Sequence, residues 1–244
     1  MGIVVGAMNA IAGGGGLIGF PVLLSVGLRA LTADATSYIA VLPGQIASAF
    51  SYRRYIAKVP KMYWLLLIPC AGGTIIGSQL LRTTSFSDFD KLVPFLVLLS
   101  VVIFALQPLL HFNLLKHLRA SHKSTTVFFF IAFTMFLATI YSGYFSVGLG
   151  LAILVPLGMI TLHEVHTLNA IKALVAITVI VVALAGIFSA HIINWHYGLI
   201  VAGGNVIGGY FGARFAQKVS SHYPRIVVTI IGVLTAAYLA WRYH

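Results

Sequence analysis

Four consecutive glycines, Gly13 to Gly16, interrupt an otherwise apolar segment that reads IAGGGGLIGFP from Ile11 to Pro21. Each glycine costs an α-helix about 1 kcal/mol relative to alanine, so a helix has reason to end at this run. A helix that ends leaves backbone N–H and C=O groups unpaired. Inside a membrane such groups are tolerated only where they are buried in protein or line a wet cavity. If the segment lies in a membrane, it is a broken helix.

The composition places this segment in a membrane protein. Of the 244 residues, 60% are hydrophobic and only 8% are charged, and apolar stretches long enough to span a bilayer recur along the chain. Fifteen Lys and Arg residues stand against 4 Asp and Glu, and the basic ones cluster in short loops. That clustering is typical of membrane orientation rather than of nucleic-acid binding. We expect an all-α, multi-pass protein in a lipid bilayer, with no nucleic-acid partner.

The second half of the chain repeats the first. The segment SGYFSVGLGLAILVP, Ser142 to Pro156, carries the same kind of interruption, and Pro156 follows Pro21 by 135 positions. Two further pairs of matching sequences, at offsets of 135 and 131, are TADATS (32–37) with TLNAIK (167–172), and AGGTIIG (71–77) with AGGNVIG (202–208). The chain is therefore interpreted as an internal duplication.

The duplication predicts two repeats, each made of a glycine-broken segment followed by three transmembrane helices. The predicted divisions are a first repeat over 1–112, a basic inter-repeat loop over 113–126 and a second repeat over 127–244. The predicted broken segments are 2–28 and 127–160, and the predicted spans are 31–52, 63–81, 92–110, 168–193, 197–213 and 226–241. The stretch between spans at 83–90 is expected to be a loop.

Positive charges indicate how the repeats are related. If the basic loops at 53–61 and 111–123 lie in the cytoplasm, the uncharged corner at 193–196 lies outside and the basic loop at 214–225 lies inside. Corresponding spans of the two halves then run in opposite directions, so the repeats are inverted. This also requires the segment 127–160 to double back as a hairpin. A single broken crossing would instead give parallel repeats.

These motifs resemble those of the sulfite exporter TauE/SafE family. The resemblance lies in the glycine-rich broken helix that ends in Pro21, the Ala-Thr-Ser at 35–37, the Ser-Tyr-Arg-Arg at 51–54 and the repeated Ala-Gly-Gly-x-x-x-Gly, and it covers nearly the whole chain. It implies a permease of the bacterial inner membrane that exports sulfite, organosulfur anions or related small anions. Residues 127–135 have no counterpart in the first half, so we expect the N-terminus to be shorter than the family pattern.

The two breaks predict the binding site. Half-helices that start after a break present free N–H groups and positive dipole ends, which favour anions. Paired glycine-interrupted segments are also a sequence pointer to a transporter site near the midplane, used by alternating access. The alternative is that these glycines serve helix packing and the serines bond their own backbone. The candidate substrate-binding residues are Asn9, Gly13, Gly14, Gly15, Gly16, Thr36, Ser37, Ser142, Ser146, Gly148, Gly150, Asn169 and Lys172.

Lys172 is the sharpest single candidate. Counted from His163, it lies about 13 Å along its span, nearly halfway through a hydrocarbon core of about 30 Å. A lysine there costs about 2.5–3.5 kcal/mol, so it needs a partner or a function. It either supplies a positive charge to the anion, snorkels to the surface, or pairs with Asp34 or Glu164. Those two carboxylates lie nearer the span ends and are interpreted as caps or structural partners rather than proton carriers.

Other functions have weaker support. His163 and His166, with Glu164 between them, can face together, but the histidine spacings match no tight metal site, so neither a metal nor a cofactor is expected. No nucleophile with a nearby base and no cofactor motif occurs, which argues against an enzyme. The alternatives that remain are a metal-ion transporter and a non-transporting membrane subunit. A homo-oligomer is compatible with the sequence.

Overall fold

A computed structural model describes residues 1–118, 125–158, 165–217 and 222–243. The first half contains helices α1 (Gly2–Ala12), α2 (Gly15–Ser25), α3 (Ala30–Ser51), α4 (Arg53–Ile56), α5 (Lys61–Trp64), α6 (Leu67–Thr83) and α7 (Phe86–Leu118). The second half contains α8 (Thr125–Tyr144), α9 (Leu149–Leu157), α10 (Val165–Ile187), α11 (Trp195–Ala216) and α12 (His222–Tyr243). The described residues form no strand, and the predicted all-α membrane class is confirmed.

Several helices are apolar enough for a membrane. Three stretches of described residues have the length and composition to cross one, namely Lys61–Thr83, Val127–Tyr144 and His166–Ala190. Helices α1 and α2 have 11 residues each, about 16 Å, and so reach only about halfway through a hydrocarbon core.

Helix α7 is longer than predicted at both ends. It begins at Phe86, inside the stretch expected to be a loop, because the Ser85 hydroxyl accepts the Asp88 N–H at 3.1 Å and donates to the Asp88 carboxylate at 2.6 Å. This side-chain cap at a helix start was overlooked in the sequence. The helix continues to Leu118, so part of the predicted inter-repeat loop is helical. The division into two repeats stays a prediction.

The first break lies where the glycine run predicts it. Gly13 adopts a left-handed conformation with φ 79°, and its N–H bonds the Asn9 carbonyl at 3.0 Å, which ends α1. The chain then reverses, so that Gly15 packs on Asn9 and Gly19 packs on Val5. Helices α1 and α2 therefore form an antiparallel hairpin rather than one interrupted crossing.

The second break has a different backbone. Helix α8 ends at Tyr144, Phe145 is extended with φ −134° and ψ 107°, and a single 3₁₀ turn at Ser146–Gly148 leads into α9. No glycine of this break has a positive φ. The two breaks thus occupy matching positions in the sequence but end their helices by different local geometries.

The two halves pack into each other through their repeated glycines. Gly77 of α6 lies against the backbone of Ile140 in α8, and Gly208 of α11 lies against the backbone of Ile3 in α1. Each Ala-Gly-Gly-x-x-x-Gly motif therefore holds the broken segment of the opposite half. The contact is close because small residues let membrane helices approach backbone to backbone.

Helices α3 and α10, which the predicted duplication pairs, run in opposite directions. Thr36, near the start of α3, accepts the Asn194 N–H beyond the end of α10 at 2.9 Å, whereas Tyr55, beyond the end of α3, stacks 5.1 Å from His166 at the start of α10. Arg54 of α4 and Arg214 of α11 line one pocket, so the basic residues after α3 and those near the end of α11 lie together. Inverted repeats would have both features, and both the repeat relation and the membrane orientation stay predictions.

Candidate functional site

The two breaks meet face to face. A Cβ built on Gly150 would collide with the Gly13 carbonyl, and one built on Gly16 would lie 2.6 Å from the carbonyl oxygen of Val147. Both approaches are backbone to backbone, so only glycine fits at either position. The starts of α2 and α9 therefore lie side by side between the two halves.

A small cavity lies at this meeting point. Its water-accessible volume is about 10 Å³, which is room for about one water molecule. Five of its lining residues belong to the predicted site, namely Asn9, Gly16, Ser37, Ser146 and Gly150. The remaining lining residues are Tyr38, Val41, Val147, Leu149 and Ile180. We refer to this space as the central cavity.

Lys172 reaches the first break rather than the cavity wall. Its side chain is 3% exposed, and its ammonium donates to the Asn9 carbonyl at 3.4 Å. The same carbonyl accepts the Gly13 N–H, so the lysine charge lies at the negative, C-terminal end of α1. This contact holds the backbone of Asn9, which is one of the residues that line the central cavity.

Asp34 contacts the second break with the opposite charge: a carboxylate there meets N–H donors, whereas the Lys172 ammonium meets a carbonyl at the first break. Its carboxylate accepts the Ser146 N–H at 2.9 Å and the Ser146 hydroxyl at 2.7 Å, at the positive end of the half-helix that leads into α9. Asp34 does not pair with Lys172. The ion pair found among the described residues joins Arg29 to Asp90 instead. Glu164, the other considered partner, lies outside the described residues, as does His163.

Comparison with known proteins assigns the chain. Residues 1–239 match the family described as Sulfite exporter TauE/SafE. The chain belongs to this family. A probable membrane transporter protein of Haemophilus influenzae is 26% identical over 243 residues, which cover 99% of this chain and 92% of the relative. The probable membrane transporter protein ORF9 of a Sinorhizobium species is 25% identical over 237 residues, covering 96% and 87%. No solved structure matches.

The family and these relatives indicate a membrane transporter, as the resemblance implied. A transporter of this kind acts on a small molecule and resides in a lipid bilayer, and it is not expected to be an enzyme. Among the residues that the structure describes, no group of three His, Cys, Asp or Glu side chains is placed to hold a metal ion.

The other predicted residues of this TauE/SafE protein do not line the cavity. Thr36 bonds the corner at Asn194, and Ser142 donates to its own helix at Ala138 while its carbonyl accepts from Tyr38. Asn169 lies toward the far end of α3, beside Tyr52. The remaining glycines are packing positions: Gly14 faces Val228 and Phe104, Gly15 faces Val5 and Asn9, and Gly148 faces Tyr141 and Ser100.

Two buried polar residues outside the predicted site set also stand out. Tyr38 is fully buried, and its hydroxyl donates 2.7 Å to the Ser142 carbonyl just before the second break. Asn205 of α11 is also fully buried, between Gly6 and Gly44, and both polar atoms of its amide have no hydrogen-bond partner among the described residues. The signal for Asn205 was present, since it is the one polar residue of the motif AGGNVIG.

Proposed function

We propose that this TauE/SafE protein is a multi-pass transporter of the bacterial inner membrane that exports small anions such as sulfite or organosulfur anions. The observation that carries the proposal is the meeting of two half-helix starts, at Gly13–Gly16 and Ser146–Gly150, around the central cavity. Helix starts present N–H donors and positive dipole ends, which suit an oxyanion. The Lys172 ammonium donates to the carbonyl of Asn9, a residue that lines the cavity, and so adds a positive charge close to the cavity.

The central cavity is closed in this conformation. A volume of about 10 Å³ is too small for an oxyanion larger than water, so the two broken segments must separate before substrate enters. Separation from one side at a time is alternating access, and two inverted repeats supply the required two-fold relation. The opposite directions of α3 and α10 support that relation.

Transport by purified protein in proteoliposomes tests the proposal. We expect efflux and counterflow of at least one anion from a panel of sulfite, thiosulfate, sulfate and isethionate, and none with protein-free liposomes. Gly150→Val should abolish this flux because its side chain meets the Gly13 backbone, whereas the matched variant Gly203→Val should not, since nothing lies within 4 Å of Gly203. No flux of any anion by wild-type protein would refute the proposal.

A further inference from the structure

The Asp34 carboxylate is incompletely satisfied. The residue has no exposed surface, and Ser146 supplies the N–H and hydroxyl donors to Oδ1. The second oxygen, Oδ2, is buried without a hydrogen-bond partner among the described residues. A buried charged oxygen without a partner is strongly disfavoured, so such a site favours whatever neutralises it.

No cation among the described residues neutralises this carboxylate. The titratable groups that face Asp34 are the phenols of Tyr38 on α3 and Tyr141 on α8. Both phenols already donate to backbone carbonyls, Tyr38 to Ser142 at 2.7 Å and Tyr141 to Leu96 at 2.8 Å. The negative charge of Asp34 is therefore balanced by backbone dipoles at the second break.

The donors that hold Asp34 are also those that an anion in the central cavity would use. Ser146 lines the cavity and donates both its N–H and its hydroxyl to the carboxylate. A bound anion and an ionised Asp34 would repel each other in a site of low dielectric constant. Anion entry therefore becomes favourable when Asp34 loses its charge.

We propose that Asp34 is a proton-binding site coupled to anion binding at the central cavity. A proton from water on the open side forms an O–H bond at Oδ2. The carbonyl oxygen Oδ1 of the neutral acid is a weaker acceptor than a carboxylate oxygen, so the Ser146 donors can turn to the anion. The anion and the proton thus bind together, and by linkage each strengthens the binding of the other. The inference rests on the proposed anion transport and adds the coupling ion that accompanies the substrate.

Anion binding at controlled pH tests the coupling. Wild-type protein is titrated with thiosulfate and isethionate, whose own charges do not change near neutral pH, in weakly buffered detergent solution. We expect affinity to increase by up to about tenfold per unit fall in pH, with uptake of about one proton per anion bound. Asp34→Asn should bind with an affinity that is independent of pH and take up no proton. Asp88→Asn, a carboxylate bonded to Ser85 at the protein surface, is the matched control and should behave as wild type.

The outcomes separate the two proposals. Binding by wild type without pH dependence, or pH-dependent binding by Asp34→Asn, overturns the coupling and leaves anion transport standing. If wild type binds neither anion and transports none of the panel, both proposals fail. If Asp34→Asn does not fold, infrared difference spectra of wild type decide. Anion binding should convert a carboxylate band into a carboxylic acid band that persists in Asp88→Asn and Glu164→Gln, and absence of that conversion overturns the coupling.

Discussion

Gly16→Ala should separate the two breaks by a small and definite amount. The added Cβ would lie 2.6 Å from the carbonyl oxygen and 2.8 Å from the Cα of Val147, whereas such contacts are essentially never shorter than 3.0 Å. Both neighbours are backbone atoms, so no side chain can rotate away. Overpacking of this kind costs about 1–3 kcal/mol. If that strain falls on the anion-bound site, anion affinity decreases by about fivefold to a hundredfold, at about 1.4 kcal/mol per tenfold.

The assay for Gly16→Ala measures anion affinity and thermal unfolding on the same purified protein. Gly203→Ala is the control, because it adds the same methyl group within α11 with nothing within 4 Å. That control should be neutral or slightly stabilising, since alanine favours a helix by about 1 kcal/mol over glycine. Wild-type affinity and stability in Gly16→Ala would refute the inference that the Gly16 approach to Val147 determines the geometry of the site.

Three further predictions concern the charge, the orientation and the packing. Lys172→Met should weaken anion binding by about tenfold or more while Lys172→Arg retains part of it, and wild-type affinity in Lys172→Met would remove the lysine from the site. Single cysteines introduced in a Cys70→Ser background test the orientation by labelling with a membrane-impermeant thiol reagent. A cysteine at Ile56 should be labelled only from the cytoplasmic side, and cysteines at Phe86 or Asn194 only from outside. Labelling at Asn194 from inside would contradict inverted repeats. Gly143→Ala, whose Cβ would lie 2.8 Å from the Thr74 carbonyl oxygen, should lower the unfolding temperature more than Gly72→Ala, whose nearest contact is 3.7 Å; equal effects would show that this contact is not limiting.

The helices and breaks were predictable because glycine acts locally. The run at Gly13–Gly16 ends a helix whatever surrounds it, and apolar length alone indicates a span. The start of α7 was missed because a single Ser85–Asp88 cap overrides the polar appearance of its stretch. The hairpin of the first segment could not be decided from its glycines alone. Its direction depends on the contact of α1 with α11, nearly 200 positions away in the chain.

The partners of the buried charges were beyond the sequence for a different reason. Spacing placed Asp34 and Lys172 on two helices but could not show that each one reaches the broken segment of the opposite half. The sequence favours Asp34 as a cap or structural partner rather than a proton carrier, and the proposed proton site departs from that interpretation because its carboxylate bonds the second break, 112 positions along the chain. Lys172 has a carbonyl as partner rather than a carboxylate, and no pattern of charges predicts a backbone acceptor.

Neither buried charge near the breaks has a charged counterpart in the other predicted repeat. At the offset of 135 positions, Asp34 corresponds to Asn169 and Lys172 corresponds to Ser37, so each charged residue has a neutral counterpart. The two breaks therefore differ in chemistry as well as in backbone geometry: a cation lies at the carbonyl end of α1, and a carboxylate lies at the N–H end before α9. Opening at the second break separates the Asp34 carboxylate from its Ser146 donors. Opening at the first break separates the Lys172 ammonium from the Asn9 carbonyl that accepts from it. Because only the former is relieved by a proton, protonation should favour opening at the second break over opening at the first.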